Sequence, residues 1–243
     1  MIRVTENFRK IQDLLAKAIA DAGREPSSVC LLAVSKRKPV EAILEAVAAG
    51  QRDFGENFVQ EGLAKIEEIV NDDIIWHFIG HLQANKTRPV AENFHWVHTV
   101  DRLKIAQRLS QQRPDYADDL NICIQVNIDR EEGKSGVMVE DLPKLAHAIA
   151  PLPRLRLRGL MCIPAVHETP EEQRKPFAQL RIQLEALTKS GLNLDTLSMG
   201  MTADYEAAIQ EGATIVRIGT ALFGKRESLS APASQVFGRT HDQ

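Results

Sequence analysis

Seven short runs rich in apolar residues, and a weaker eighth, recur along the chain, and helical spacing fills the gaps between them. They fall at residues 29–34, 51–55, 74–80, 96–100, 121–128, 156–163, 195–199 and 213–219, the second being the weak one. An apolar run without polar alternation belongs to a strand covered on both faces, as in a parallel sheet. Parallel strands need crossovers, and the segments between the runs read as helices. Residues 39–49 place Val40, Ile43, Leu44 and Val47 on one face, with Pro39 opening the helix and Gly50 just past its end. Asn57 caps a segment carrying Leu63, Ile66 and Ile69, and Asp101 caps one carrying Leu103, Ile105, Ala106 and Leu109. Short helices follow at residues 86–92, 141–150 and 204–210. Thr169-Pro170-Glu171-Glu172 is a capping box opening a helix with Phe177, Leu180, Leu184 and Leu187, which Pro176 restarts or kinks.

Eight strands alternating with helices predict a closed (β/α)8 TIM barrel, for which about 250 residues is typical, and the chain has 243. Residues 1–227 form the barrel domain, and residues 228–243 a polar, flexible tail. An amphipathic helix over residues 5–22 precedes the first strand; closing the barrel floor and packing on a partner chain are both open to it. With 5% aromatic residues, the core is mainly aliphatic.

A formal net charge of −3 leaves no basic footprint for nucleic acid. Cys30, Cys123 and Cys162 sit far apart in apolar runs, which suits reduced core thiols in a cytoplasmic protein. The N-terminus lacks the pattern of a signal peptide, and no run reaches membrane-spanning length. The histidines lack cysteine or carboxylate partners at ligand spacing, so no metal is expected.

The first strand stops at Ser35-Lys36, which places a lysine at the carboxyl end of a barrel strand, where ligands and chemistry collect in this fold. Alone, such a lysine reads as a solvated cap. The loops after strands seven and eight change its weight, because phosphate sites in barrels are commonly built there. The first loop is Ser198-Met199-Gly200-Met201-Thr202-Ala203-Asp204, and the second is Arg217-Ile218-Gly219-Thr220-Ala221-Leu222-Phe223-Gly224. Each brings a glycine for close backbone approach and a hydroxyl at a helix start. An amine able to form a Schiff base, facing a phosphate cradle with an arginine between, describes a pyridoxal phosphate site.

Along nearly its whole length the chain resembles the pyridoxal phosphate homeostasis proteins (the YggS/PROSC family). The resemblance is carried by Leu32-Ala33-Val34-Ser35-Lys36, by Phe54-Gly55-Glu56-Asn57-Phe58-Val59-Gln60-Glu61 and by Trp76-His77-Phe78-Ile79-Gly80-His81-Leu82-Gln83. Gly133-Lys134-Ser135-Gly136, Leu157-Arg158-Gly159-Leu160-Met161 and the two loop motifs continue it in order. Thr202 stands where serine is common, keeping the hydroxyl, and Phe58 where tyrosine is frequent. The resemblance implies a barrel similar to the N-terminal domain of alanine racemase, with pyridoxal 5′-phosphate held as an aldimine on Lys36. It also implies Thr202, Gly219 and Thr220 around the phosphate, Arg217 near the pyridine nitrogen, and Asn57 and Lys134 as further site members.

A guanidinium cannot act as a carboxylate does to keep the ring nitrogen protonated, so Arg217 makes the ring a weak electron sink. Racemisation also needs an acid/base on the opposite substrate face, which alanine racemase takes from a second domain that this sequence is expected to lack. The reading is therefore a non-enzymatic protein of intracellular cofactor homeostasis, with no catalytic residues of its own. Apo-enzymes are possible recipients, and a monomer or weak dimer is expected. A weak amino-acid racemase is the alternative, and a barrel for another phosphorylated metabolite a third. Of the remaining polar residues, His77 reads as a core residue with satisfied hydrogen bonds, His81 as looking into the mouth, and Arg37-Lys38 as a solvated basic turn. Arg154, Arg156 and Arg158 read as a solvated or ion-paired edge.

Overall fold

In the computed structural model, which describes residues 4–224, the apolar runs become eight parallel strands. They are β1 (Cys30–Val34), β2 (Asp53–Glu56), β3 (Ile75–Phe78), β4 (Trp96–Val100), β5 (Leu120–Gln125), β6 (Leu155–Met161), β7 (Thr196–Met201) and β8 (Ile215–Ile218). Each pairs with the next in sequence, and β8 pairs with β1 from Cys30↔Ile215 to Ala33↔Ile218, closing the ring. The fold is the TIM barrel expected from the pattern, in a single domain. The expected tail at residues 228–243 and the last three residues of the expected barrel domain lie outside the described residues.

Strand alternation separates two apolar groups. Leu31 and Ala33 of β1 join the large core between sheet and helices. Leu32 belongs instead to a small cluster with Ile79 and Ile215, against which Cys30, Val34 and Trp96 pack. Successive side chains point to opposite faces of a strand, so this second cluster is the apolar part of the barrel lumen.

The helices are α1 (Val4–Asp21), α2 (Val40–Ala48), α3 (Val59–Glu68), α4 (Thr87–Asn93), α5 (Leu103–Gln112), α6 (Leu142–Ile149), α7 (Pro170–Lys189), α8 (Tyr205–Gln210) and α9 (Thr220–Phe223). The capping box forms as expected, with the Thr169 hydroxyl accepting from the Glu172 N–H and Pro170 in the first turn. Pro176 neither restarts nor ends α7, which continues through it. Pro39 stands at the cap of α2 rather than inside it. Asn57 and Asp101 do not cap, because their helices begin one residue later than expected, behind Phe58 and Arg102.

Within the chain, the extra helix packs on the barrel's own outer helices. The helix after β8 is only four residues long, too short to cover the outer face where β8 meets β1. Helix α1 supplies that cover by packing against α9, α8 and α2. It buries Val4, Phe8, Ile11, Leu15, Ala18 and Ile19. Its asparagine Asn7 donates to the Leu222 carbonyl at 3.0 Å, and Thr5 donates to Glu45. Among the described residues, no helix is long and apolar enough to cross a membrane.

Candidate functional site

The β1–β8 register brings the predicted site residues together. Leu32 lies opposite Arg217 and Ala33 opposite Ile218, so Lys36, beyond the end of β1, rises beside Gly219 and Thr220, beyond the end of β8. On one flank Val34 lies opposite Gly55, which sets Asn57 beside the Lys36 turn. On the other Met201 lies opposite Arg217, which sets Thr202 beside the β8 loop. Lys36, Asn57, Thr202, Arg217, Gly219 and Thr220 thus occupy the carboxyl ends of four successive strands, β7, β8, β1 and β2. Lys134 is not brought to this group. It lies on the loop after β5, across the ring from β1, exposed and ion-paired with Glu131.

Lys36 is half-buried in a turn closed by the Lys38 N–H bonding to the Ser35 carbonyl at 3.0 Å. The turn's third residue, Arg37, has φ of 58°, a left-handed conformation that a side chain disfavours. It is held in place from α3. The Arg37 N–H donates to Glu61, and the Lys65 ammonium donates to the Ser35 carbonyl at 2.8 Å. Lys65 also pairs with Glu56 at 2.7 Å and Glu61 at 2.6 Å. Glu56 accepts from the Ser35 hydroxyl at 2.6 Å. Burial raises the Glu56 pKa; Lys65 and Ser35 oppose the rise, and Glu61 adds to it.

The basic residues beside Lys36 are not merely solvated. Arg37 lies over the Phe58 ring at 5.4 Å. Lys38 donates to the carbonyls of Phe223 and Gly224 at 2.9 and 3.0 Å, joining the β1 turn to the end of α9. His81 is exposed, 3.3 Å from the Ser135 hydroxyl on the β5 loop. Arg154 and Arg158 pair with Asp115 and Asp195, as an ion-paired edge would.

Gly200 adopts φ of 91°, and a Cβ there would come within 2.6 Å of the Ala208 Cβ, so the turn from β7 into α8 admits only glycine comfortably. The Asp204 carboxylate accepts from the Met201 N–H at 2.6 Å and closes that turn. Thr202 and Thr220 are both exposed, with their hydroxyls at the rim. Thr202 and Asp204 also line a cavity of about 420 Å³ whose other wall includes Ile11, Leu14 and Leu15 of α1. Thr220 and Ala221 open α9, and a helix's first N–H groups have no acceptor within the helix.

Arg217 is 4% exposed. Its guanidinium donates to the Ser198 hydroxyl at 2.9 Å and to the Cys162 carbonyl, beyond the end of β6, at 2.8 Å. Burial pulls its pKa down from the usual arginine value, while Cys162, Asp204 and Cys123 oppose the shift. Asn57 Oδ1 is buried with no hydrogen-bond partner among the described residues, an orphaned acceptor beside the mouth. The chain passes close there: a Cβ on Gly80 would fall 1.9 Å from the Asn57 carbonyl oxygen. Among the described residues, no group of three or more histidines, cysteines or acids could hold a metal ion.

Sequence reasoning missed Ser198, His98, Glu56 and Lys65 around this site. A signal existed for three of them. Glu56 is a charge inside a strand covered on both faces, and His98 and Ser198 are polar positions inside apolar strands. Lys65 gave no such signal, because the apolar spacing pointed to the face of Leu63, Ile66 and Ile69 while the helix buries Val59, Gly62 and Lys65.

The family model that matches the chain is "Alanine racemase, N-terminal domain", over residues 4–227. A pyridoxal phosphate homeostasis protein of Pseudomonas aeruginosa is 57% identical over 234 residues, spanning 96% of this chain and 100% of that protein. The Escherichia coli K12 protein of the same name is 50% identical over 227 residues, 92% of this chain and 97% of that one. The structure of PipY from Synechococcus elongatus PCC7942 with PLP bound matches at TM-score 0.77 and 40% identity. It covers 86% of this chain and 100% of that chain. Alanine racemase from Corynebacterium glutamicum matches at TM-score 0.70 and 17% identity, a likeness of fold. That match covers 96% of this chain and 63% of the racemase.

Proposed function

The chain belongs to the alanine racemase N-terminal domain family, among the pyridoxal phosphate homeostasis proteins, and on that premise we propose that it binds pyridoxal 5′-phosphate on Lys36 and serves the cofactor's homeostasis without substantial turnover. The observation that carries the reading is the register of β7, β8, β1 and β2, which gathers one half-buried lysine, two rim hydroxyls, a close-approach glycine turn and a buried arginine at one mouth. The residues present fit the group. Lys36 follows directly on the end of β1 at this mouth, and the orphaned Asn57 oxygen adds an acceptor beside it.

When bound, the cofactor supplies an aldehyde that condenses with an amine and releases water. Lys36 Nζ is that amine, and the turn fastened by Lys65 and Glu61 limits where it can reach. Thr202, Gly219 and Thr220 hold the phosphate, with the first N–H groups of α9 beside them. Arg217 meets the ring nitrogen as a donor and cannot hand it a proton, which disfavours carbanion chemistry such as transamination. The free thiols of Cys30, Cys123 and Cys162 suit the reducing cytoplasm. Apo-enzymes that need the cofactor are the recipients such a store would serve.

Titrating the protein with pyridoxal phosphate while recording its visible spectrum tests the reading. A band from the lysine-bound cofactor that saturates at one equivalent supports it. A protein that stays colourless returns the mouth to some other phosphorylated metabolite. Incubating the loaded protein with single amino-acid enantiomers and following optical rotation tests the absence of turnover, and rapid loss of chirality would contradict it.

A further inference from the structure

The polar side of the barrel lumen is one continuous hydrogen-bonded file. Asp53, the first residue of β2, lies 3.0 Å from His77 Nε2. His77 Nδ1 lies 2.9 Å from His98 Nε2, and His98 Nδ1 lies 2.7 Å from the Ser198 hydroxyl. Arg217 then donates to that same hydroxyl. The file begins at the amino end of β2, where the Asp53 side chain is 23% exposed, and ends at a guanidinium bonded to the carbonyl that follows β6. His77, His98 and Ser198 are 1%, 0% and 0% exposed, so the protein supplies every partner. Trp96 stacks on His77 with ring centroids 5.5 Å apart and holds that ring flat against the file.

Both tautomers follow from the Asp53 end. The Asp53 carboxylate can only accept, so the neutral His77 ring carries its proton on Nε2 and donates it there. Bare His77 Nδ1 then accepts from His98 Nε2, and bare His98 Nδ1 accepts from the Ser198 hydroxyl. Arg217, which can only donate, takes a remaining lone pair of the Ser198 oxygen and is compatible with that direction. Every donor points from Arg217 toward Asp53, and each bond fixes the next. Burial lowers the pKa of both histidines, consistent with neutral rings. The other titratable groups facing the file are Cys30 at Asp53, His95 near His77, and Cys162, Cys123 and Asp204 near Arg217.

We propose that Asp53, His77, His98 and Ser198 are positioning residues for Arg217, a one-way chain from the barrel floor that fixes the guanidinium's orientation as a donor to the cofactor ring. The proposal rests on the functional reading above, which puts the ring against Arg217. Asp53 touches no cofactor in this scheme. It acts by being the terminal acceptor that rules out the reversed chain, in which each histidine would carry its proton on Nδ1 and the Ser198 hydroxyl would turn away from His98.

Nitrogen-15 NMR of histidine-labelled protein, first without cofactor, reads the chain directly. The expected result is a protonated Nε2 and a bare Nδ1 on both His77 and His98. In Asp53→Asn the side-chain amide can donate as well as accept, so the same signals should become mixed or reversed, while Asp53→Glu retains them. After loading with pyridoxal phosphate, Asp53→Asn should show a displaced visible band and about tenfold weaker uptake, the size expected for a disturbed hydrogen bond to a charged group. Asp53→Glu should keep the wild-type band. A protonated Nδ1 or a doubly protonated ring in the wild type overturns the chain. Altered tautomers in Asp53→Asn with an unchanged band and affinity overturn its effect on Arg217. Wild-type protein with the expected tautomers but no cofactor uptake overturns the functional reading, and with it the role given to Arg217, whereas wrong tautomers with normal uptake overturn the chain alone.

Discussion

Replacing Lys65 by methionine removes the ammonium that holds the Lys36 turn, and its cost can be worked from the geometry. Lys65 is 5% exposed and Glu56 is 0% exposed, so the pair is shut away from water. Methionine has nearly the same length, which keeps any cavity contribution small. What is lost is the ammonium's contact with Glu56, Glu61 and the Ser35 carbonyl. Glu56 keeps its bond from the Ser35 hydroxyl, but its Oε2 already has no partner among the described residues, and its charge becomes uncompensated. Removing one partner of a buried pair costs about 3–5 kcal/mol. For a chain of this length that corresponds to a Tm lower by about 6–20 °C. The cost is pH-dependent, with a definite sign. The folded-state pKa of Glu56 is raised, so its contribution favours folding at low pH and is lost as pH rises through that folded value. Loss of Lys65 raises the folded value further, so the variant should be penalised most at neutral pH and least near pH 5. Urea unfolding of both proteins at the two pH values measures this. Lys65→Met combined with Glu56→Gln should recover about half the loss or more, since no buried charge remains. A loss below about 1 kcal/mol, or one equal at both pH values, would refute the view that Lys65 neutralises a buried carboxylate.

Other outcomes follow from single contacts. Gly200→Ala forces a Cβ into a left-handed turn and to within 2.6 Å of Ala208, so stability should fall by about 1–3 kcal/mol and phosphate-dependent binding should weaken, both measurable by melting with and without pyridoxal phosphate. Thr169→Ala removes the cap of α7 and should cost about 1 kcal/mol in urea unfolding, leaving cofactor binding unchanged. Burial pushes the thiols of Cys123 and Cys162 up to about 12, so iodoacetamide at pH 8 should leave both unmodified in the folded protein and modify both in urea, as read by peptide mass.

The barrel was legible because its strands are covered on both faces, which writes them as apolar runs such as Cys30–Val34 and Ile215–Ile218. The weak second strand fails that rule for a physical reason. Asp53 turns into a polar lumen, Gly55 packs against Leu32 and Ile79, and Glu56 is buried beside a lysine nine residues on. The amine and the glycine-hydroxyl loops were legible because local spacing sets them at strand ends. The partnerships behind them were not: His98 meets Ser198 across 100 residues, and nothing local says which interior polar groups will meet. Helix α1 was visible as an amphipathic helix, but its place was not, because that depended on α9 being too short to cover its own strand.

Borohydride reduction of the pyridoxal phosphate-loaded protein, followed by peptide mapping, tests the central claim most directly. The expected result is one pyridoxyl adduct per chain, on the peptide carrying Lys36, and its loss in Lys36→Ala without loss of fold. An adduct carried instead by Lys38 or Lys134, or one that survives in Lys36→Ala, would contradict the assignment.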